Sequence, residues 1–183
     1  PKITRTFLLR AIFLYLTWKI AYYFLFFDGR ILDAPLTFIT AKGTMFLLEL
    51  ILPHNNFELF QSIIRIPNAT DIAHLLIKSG SVKVLGILDT CNGLELYMVY
   101  FILILSIPNK IKYAFVFLPI GLFLIYFTNL IRMVALAYFN YTHQFKHLTF
   151  PQTHFLFNIV VYAVMAILWI NYLNIYVGKK TIK

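Results

Sequence analysis

The sequence predicts an all-α integral membrane protein: four transmembrane helices, an outer interfacial amphipathic helix and a small strand-containing cap, within a single membrane domain over residues 1–183. Two observations carry that prediction. The chain is 61% hydrophobic and 13% charged, whereas a soluble domain carries about 45–50% apolar and about 25% charged residues. The apolar residues are also gathered into long runs, at about 6–27, 92–107, 113–139 and 154–177, most of them ending at basic or proline-containing turns.

The first run, 6–27, is about 22 residues long and at ~1.5 Å per residue crosses a ~30 Å hydrocarbon core. A cleaved signal peptide is the competing reading. Lys19 interrupts the apolar stretch and no small-x-small site follows it, so a retained span is expected. The segment 36–52 is long enough to span but carries Lys42, Gly43 and Glu49. Leu36, Ile39, Phe46, Leu47 and Leu50 can share one helical face, with Thr37, Thr40, Thr44 and Lys42 elsewhere, which predicts a helix lying in the membrane interface. Pro53 ends it. From 54 to 90 the chain is polar and reads as an extracytoplasmic cap. Residues 60–66 and 81–88 have strand-like composition, set off by Pro67-Asn68 and a Ser79-Gly80-Ser81 turn, and 71–78 is expected to form a short helix. The run 92–107 stops at Pro108-Asn109-Lys110, and the last run ends at Gly178-Lys179-Lys180.

Charge predicts orientation. Lys2, Arg5, Arg10, Lys110, Lys112, Lys179, Lys180 and Lys183 lie in the N-terminus, one turn and the C-terminal tail, with no acid among them. Asp28, Asp33, Glu49, Glu58, Asp71 and Asp89 fall in the other connections. The positive-inside rule therefore expects both termini and the Lys110 turn in the cytoplasm. Two cytoplasmic termini require an even number of crossings, which agrees with an interfacial 36–52. Cys91, the loop 140–153 and His154 would then lie on the outer side.

The formal net charge of +9 fits lysines anchoring span ends. It does not point to nucleic acid, because no basic patch alternates with exposed aromatics. The single cysteine leaves no internal disulfide and no Cys-rich metal site. His143 and His147 have the spacing of a metal half-site but no nearby carboxylate, so no metal or cofactor is expected.

Three polar groups stand where apolar segments would normally exclude them. Cys91 lies in Thr90-Cys91-Asn92-Gly93-Leu94-Glu95, at the head of a run. The free N–H groups and dipole of a helix N-terminus favour a reactive thiolate; the bland alternative is a small apolar residue. Arg132, in Asn129-Leu130-Ile131-Arg132, lies roughly 10 Å inside the outer end of its run at the helical rise. A charge at that depth faces a partner or a wet cavity, or else snorkels. Asn129, one turn earlier on the same face, would orient the guanidinium or join it as a donor. His154 opens the last run, with Asn158 one turn below. Lys19 and Glu95 are the other intramembrane charges, and an ion pair of Glu95 with Lys19 or Arg132 is expected. Together the groups fit acyl transfer, with Cys91 as nucleophile, His154 as base and Arg132 stabilising the oxyanion.

Cys91-Asn92-Gly93-Leu94-Glu95 resembles the Cys-Ser/Asn-Gly-Leu element of the exosortase/archaeosortase family. Asn129-Leu130-Ile131-Arg132 resembles its Asn-x-x-Arg element, and His154 falls where the family has a histidine opening a final span. The likeness runs over roughly 36–176, and the chain is similar to the short, single-domain exosortases, without the additional spans of larger members. Asn158 stands near where many members have glycine, and His143 and His147 are alternatives to His154. The resemblance implies a membrane cysteine protease or transpeptidase on the outer face of a bacterial cytoplasmic membrane. Its catalytic set would be Cys91, Arg132 and His154, supported by Asn129, Gly93 and Asn92. Its substrates would be exported proteins with a C-terminal motif, a hydrophobic span and a basic tail, with a small membrane protein as a possible partner. The alternative from another class is a non-enzymatic membrane adaptor whose Arg132 and Lys19 pair with partner helices. A small transporter is a third reading, opposed by the lack of an internal repeat.

Overall fold

The structure, a computed structural model, describes residues 2–64, 72–107, 111–142 and 150–178. In chain order these form α1 (Lys2–Ala21), α2 (Asp33–Ile51), β1 (Phe57–Ile64), β2 (Ile72–Ser79), β3 (Val82–Leu88), α3 (Leu94–Ser106), α4 (Ile111–Tyr141) and α5 (Phe150–Gly178). A π-helical turn, Tyr22–Phe26, extends α1. Among the described residues, three helical stretches are long and apolar enough to cross a membrane: Thr4–Phe26, Asp33–Ile51 and Tyr113–Tyr141. Leu94–Ser106 and Asn158–Asn174 are shorter apolar helices. The α3 helix, with 13 residues, is ~20 Å long at the helical rise and falls short of a ~30 Å core.

The chain divides into two compact units. One comprises 1–30, 93–127 and 160–183; the other comprises 31–92 and 128–159. The first unit is helical. Its core gathers Tyr100, Ile104, Ile125, Met165 and Tyr172, and Phe7 of α1 stacks on Trp169 of α5 with ring centroids 5.9 Å apart. The opposite side of α1 exposes Leu9, Phe13 and Ile20, as expected of a helix solvated by lipid chains. The charges foreseen inside apolar segments meet here: Lys19 Nζ lies 2.7 Å from Glu95 Oε1, and the Tyr15 hydroxyl donates to the same oxygen at 3.4 Å.

One close approach in this unit depends on a glycine. Tyr100 is fully buried and donates its hydroxyl to the Phe117 carbonyl at 3.0 Å. A Cβ on Gly121 would stand 2.2 Å from the Tyr100 ring carbon Cζ. Gly121→Ala is therefore expected to destabilise the protein by ~1–3 kcal/mol, the usual range for overpacking. A thermal unfolding midpoint in detergent equal to that of the wild type would contradict it.

The second unit is built on an antiparallel sheet of order β1-β2-β3. Its register runs from Phe57 opposite Ser79 to Ile64 opposite Ile72, and from His74 opposite Leu88 to Ser79 opposite Val82, with an irregularity at Ile77/Lys78. The expected short helix over 71–78 is instead the central strand. Pairing with β1 along Ile72–Ser79 and with β3 from His74 onward outweighs the helical propensity of Ala73, Leu75 and Leu76. The predicted turn at Ser79-Gly80-Ser81 closes the hairpin, with Gly80 at φ +58, a conformation glycine adopts without steric cost. The β1 strand begins at Phe57, ahead of the expected 60–66, and β3 at Val82, inside the expected 81–88. The turn expected at Pro67-Asn68 lies outside the described residues.

Val84, Leu85 and Ile87 of β3 are all buried, so both faces of that strand are covered. They share a core with Ala41 and Leu48 of α2 and with Met133, Val134, Leu136 and Ala137 of α4. The end of α4 is tied to the same sheet region: Tyr141 donates to Asn55 Oδ1 at 2.7 Å and Asn140 to the Val84 carbonyl at 3.4 Å.

The α2 helix is two-faced, as the sequence predicts, but the faces have an unexpected use. Thr37, Thr40, Ala41, Thr44 and Leu48 are buried, whereas Phe38, Ile39, Phe46 and Leu50 are exposed. The threonine face packs on the sheet instead of meeting water. Small side chains permit close approach; Thr44 returns its hydroxyl to the Thr40 carbonyl at 2.8 Å, while the Thr40 hydroxyl is buried with no hydrogen-bond partner among the described residues.

Candidate active site

The β3 strand delivers the chain into the turn that carries Cys91. After Leu88 it closes a 3-10 turn, Asp89–Cys91, and the Asn92 N–H donates to the Asp89 carbonyl at 3.2 Å. Gly93 follows at φ +86, in the left-handed region, which strains a residue that carries a Cβ and suits glycine. Cys91 is thus separated from α3 by a reversal of backbone hand. Cys91, expected at the N-terminal end of a helix, instead ends a 3-10 turn ahead of the Gly93 cap of α3. Glu95 belongs with Lys19 and Tyr15.

The position of Cys91 is fixed by its backbone. Its carbonyl accepts from Asn129 Nδ2 at 3.2 Å and from Arg132 Nη2 at 3.4 Å. These donors stand three residues apart on α4, the spacing that puts two side chains on one helical face. The structure therefore brings Asn129 and Arg132 to the same atom of the cysteine, with Asn129 joining the guanidinium as a second donor. Cys91 is 7% exposed and Arg132 is 6% exposed. The Cys91 Sγ lies 3.9 Å from Thr90 Oγ1.

Arg132 lies nine residues before Tyr141, the last of α4, or ~13 Å by the helical rise. That is somewhat deeper than the sequence indicates, and its charge is shielded by protein atoms. Its Nη1 donates to Asn158 Oδ1 on α5. His154 sits one turn before Asn158 on that helix. Its side chain lies outside the described residues, as do His143 and His147.

Two residues of this site, Asp33 and Thr37, escape the sequence reading. Asn92, 1% exposed, donates its Nδ2 toward Asp33 Oδ1 at 2.9 Å, Thr37 Oγ1 at 3.3 Å and the Asp33 carbonyl at 3.4 Å. The Thr37 hydroxyl donates to Asp89 Oδ1 at 2.8 Å. Asp33 and Thr37 are 4% and 1% exposed. The available signal was positional: Asp33, Thr37, Thr40 and Thr44 recur at helical spacing along one face. Among the described residues, no group of three or more His, Cys, Asp or Glu side chains could hold a metal ion.

The arrangement joins a thiol to a buried cation through the cysteine's own carbonyl, in a turn gripped from two helices. Such a site can present a nucleophile in fixed orientation beside a positive charge. No protein-family model matches the chain, and neither does a curated protein or a solved structure.

Proposed function

We propose that this chain is an exosortase-like membrane cysteine protease or transpeptidase, which removes the C-terminal sorting signal of exported proteins through a thioester. The observation that carries this reading is the convergence of Asn129 and Arg132 on the Cys91 carbonyl. Two sequence elements nearly 40 residues apart, each resembling one element of that family, meet at one atom.

In the proposed cycle His154 takes the Cys91 proton as the sulfur attacks the scissile carbonyl, forming a C–S bond and an oxyanion. The oxyanion collapses, the peptide C–N bond breaks, and His154 returns the proton to the leaving amine. Water or an acceptor amine then attacks the thioester and restores the thiol. Arg132, held by Asn158 and by the Cys91 carbonyl, supplies positive charge to each tetrahedral stage. A well-placed donor in a dry site contributes roughly 2.7–4 kcal/mol to such a step.

The proposed topology keeps both termini cytoplasmic, α2 at the outer interface despite its crossing length, and Cys91 on the outer face of the cytoplasmic membrane; of its four expected spans, α3 is shorter than the hydrocarbon core. This topology rests on the basic residues at the termini and at the Lys110 turn. The adaptor alternative needs Lys19 and Arg132 to await partner helices. Lys19 is instead paired with Glu95, and Arg132 is bonded to Asn158 and Cys91 within the chain.

The test compares C-terminal masses of exported membrane-tailed proteins in native cells with and without this gene. At least one protein is expected to keep its apolar tail only when the gene is absent, and a plasmid copy should restore its removal. Identical C-termini in both strains would overturn the proposal.

A further inference from the structure

We propose that Asp33 and Thr37 of α2 are positioning residues, which hold the turn carrying Cys91 in the geometry required for attack; this rests on the acyl-transfer reading above. The grip on the turn is two-sided. On the α4 side, Asn129 and Arg132 hold the Cys91 carbonyl. On the α2 side, Asp33 and Thr37 hold the residues immediately around the cysteine: Asn92 by its side-chain amide, and Asp89 by its carboxylate.

Thr37 is the pivot of the second grip. Its hydroxyl donates to Asp89 Oδ1 at 2.8 Å while its oxygen lies 3.3 Å from Asn92 Nδ2. One hydroxyl thus connects both ends of the 3-10 turn, using its single proton and an acceptor lone pair. Asp33 contributes the shortest contact to Asn92, at 2.9 Å. It is the first residue of α2, and the Leu32 cap before it makes no side-chain hydrogen bond. A carboxylate in this first turn sits at the positive end of the helix dipole, which favours it.

The physical reason for such a device follows from Gly93. The chain reverses hand there at φ +86, so α3 does not rigidify the turn by continuing into it. A short turn has few intrinsic hydrogen bonds, and its conformation is set by outside partners. Misplacement of a reacting group by ~1 Å can cost about 10²-fold in rate, so a nucleophile in such a turn needs partners of this kind.

The test uses the full chain in native membranes, with Thr37→Val and Thr37→Ser. Valine keeps the shape and removes the hydroxyl; serine keeps the hydroxyl. Thr37→Val is expected to lower kcat by about 10²-fold with KM within about twofold, and Thr37→Ser to recover most of the loss. The labelling rate of Cys91 by iodoacetamide should also rise several-fold in the valine variant, with the protein still folded and its thermal midpoint lowered by no more than the loss of one or two hydrogen bonds accounts for. Wild-type kcat and labelling in Thr37→Val would overturn the positioning role. So would a loss matched by unfolding that serine does not rescue. If labelling responds as expected but the wild-type chain processes no tailed protein, the clamp stands and the protease reading fails.

Discussion

Cys91→Ala is expected to abolish removal of the C-terminal tail while the protein stays in the membrane at its usual level. The thiol is the only group in the proposed cycle that forms a bond to the substrate. Without it no thioester can form, and losses on the order of 10³-fold or more are usual when a nucleophile is deleted. The fold should tolerate the change. The turn is held through the Cys91 carbonyl and through Asn92 and Asp89, none of which the substitution touches. The vacated volume is one sulfur atom, which costs on the order of 1 kcal/mol. Intact-mass analysis of the substrate, with an immunoblot of the enzyme, separates the outcomes. A substrate still shortened by the alanine variant would remove Cys91 from the mechanism.

Arg132→Lys should be nearly as damaging, although it conserves charge. The guanidinium reaches in two directions at once, with Nη1 toward Asn158 Oδ1 and Nη2 toward the Cys91 carbonyl. An ammonium is a point charge on a flexible stem and cannot reproduce that planar fork. One partner is left unpaired in a site only 6% exposed, a loss of ~2–5 kcal/mol when a buried charged hydrogen bond is broken. The expected result is a fall in processing of about 10²-fold or more, comparable with removal of one oxyanion donor. Turnover close to that of the wild type in the lysine variant would reduce Arg132 to a simple charge anchor.

The parts of this fold and site that were legible in the sequence are those set by local pattern. Long apolar runs announce helices, and Ser79-Gly80-Ser81 announces a tight turn. The three-residue spacing of Asn129 and Arg132 announces a shared face. A lysine and a glutamate inside apolar segments seek each other, because either alone would be costly there; Lys19 and Glu95 do so at 2.7 Å. The parts that were not legible depend on partners distant in sequence. Ile72–Ser79 becomes a strand because β1 and β3 lie on its two edges, which no window of eight residues reveals. The inward face of α2 is the threonine face because a sheet packs on it, and composition alone sends polar residues outward. Asp33 and Thr37 were overlooked for the same reason. Their value lies in Asn92 and Asp89, more than 50 positions away. The offset of Cys91 from α3 depends on a single left-handed glycine, which could equally have been the first residue of the helix.

The inverted packing of α2 predicts an unusual pattern of sequence drift. In a helix on the surface of a soluble protein, polar positions vary freely and apolar positions are constrained. Along α2 the outward positions Phe38, Ile39, Phe46 and Leu50 are 44%, 52%, 59% and 64% exposed, and any apolar side chain of similar bulk would serve at each. Thr37, Thr40 and Thr44 are at most 1% exposed, so larger replacements have no room and charged ones have no solvent. In a saturation library of this helix, the threonines should accept only side chains of similar or smaller size, and the large hydrophobics should be the interchangeable positions.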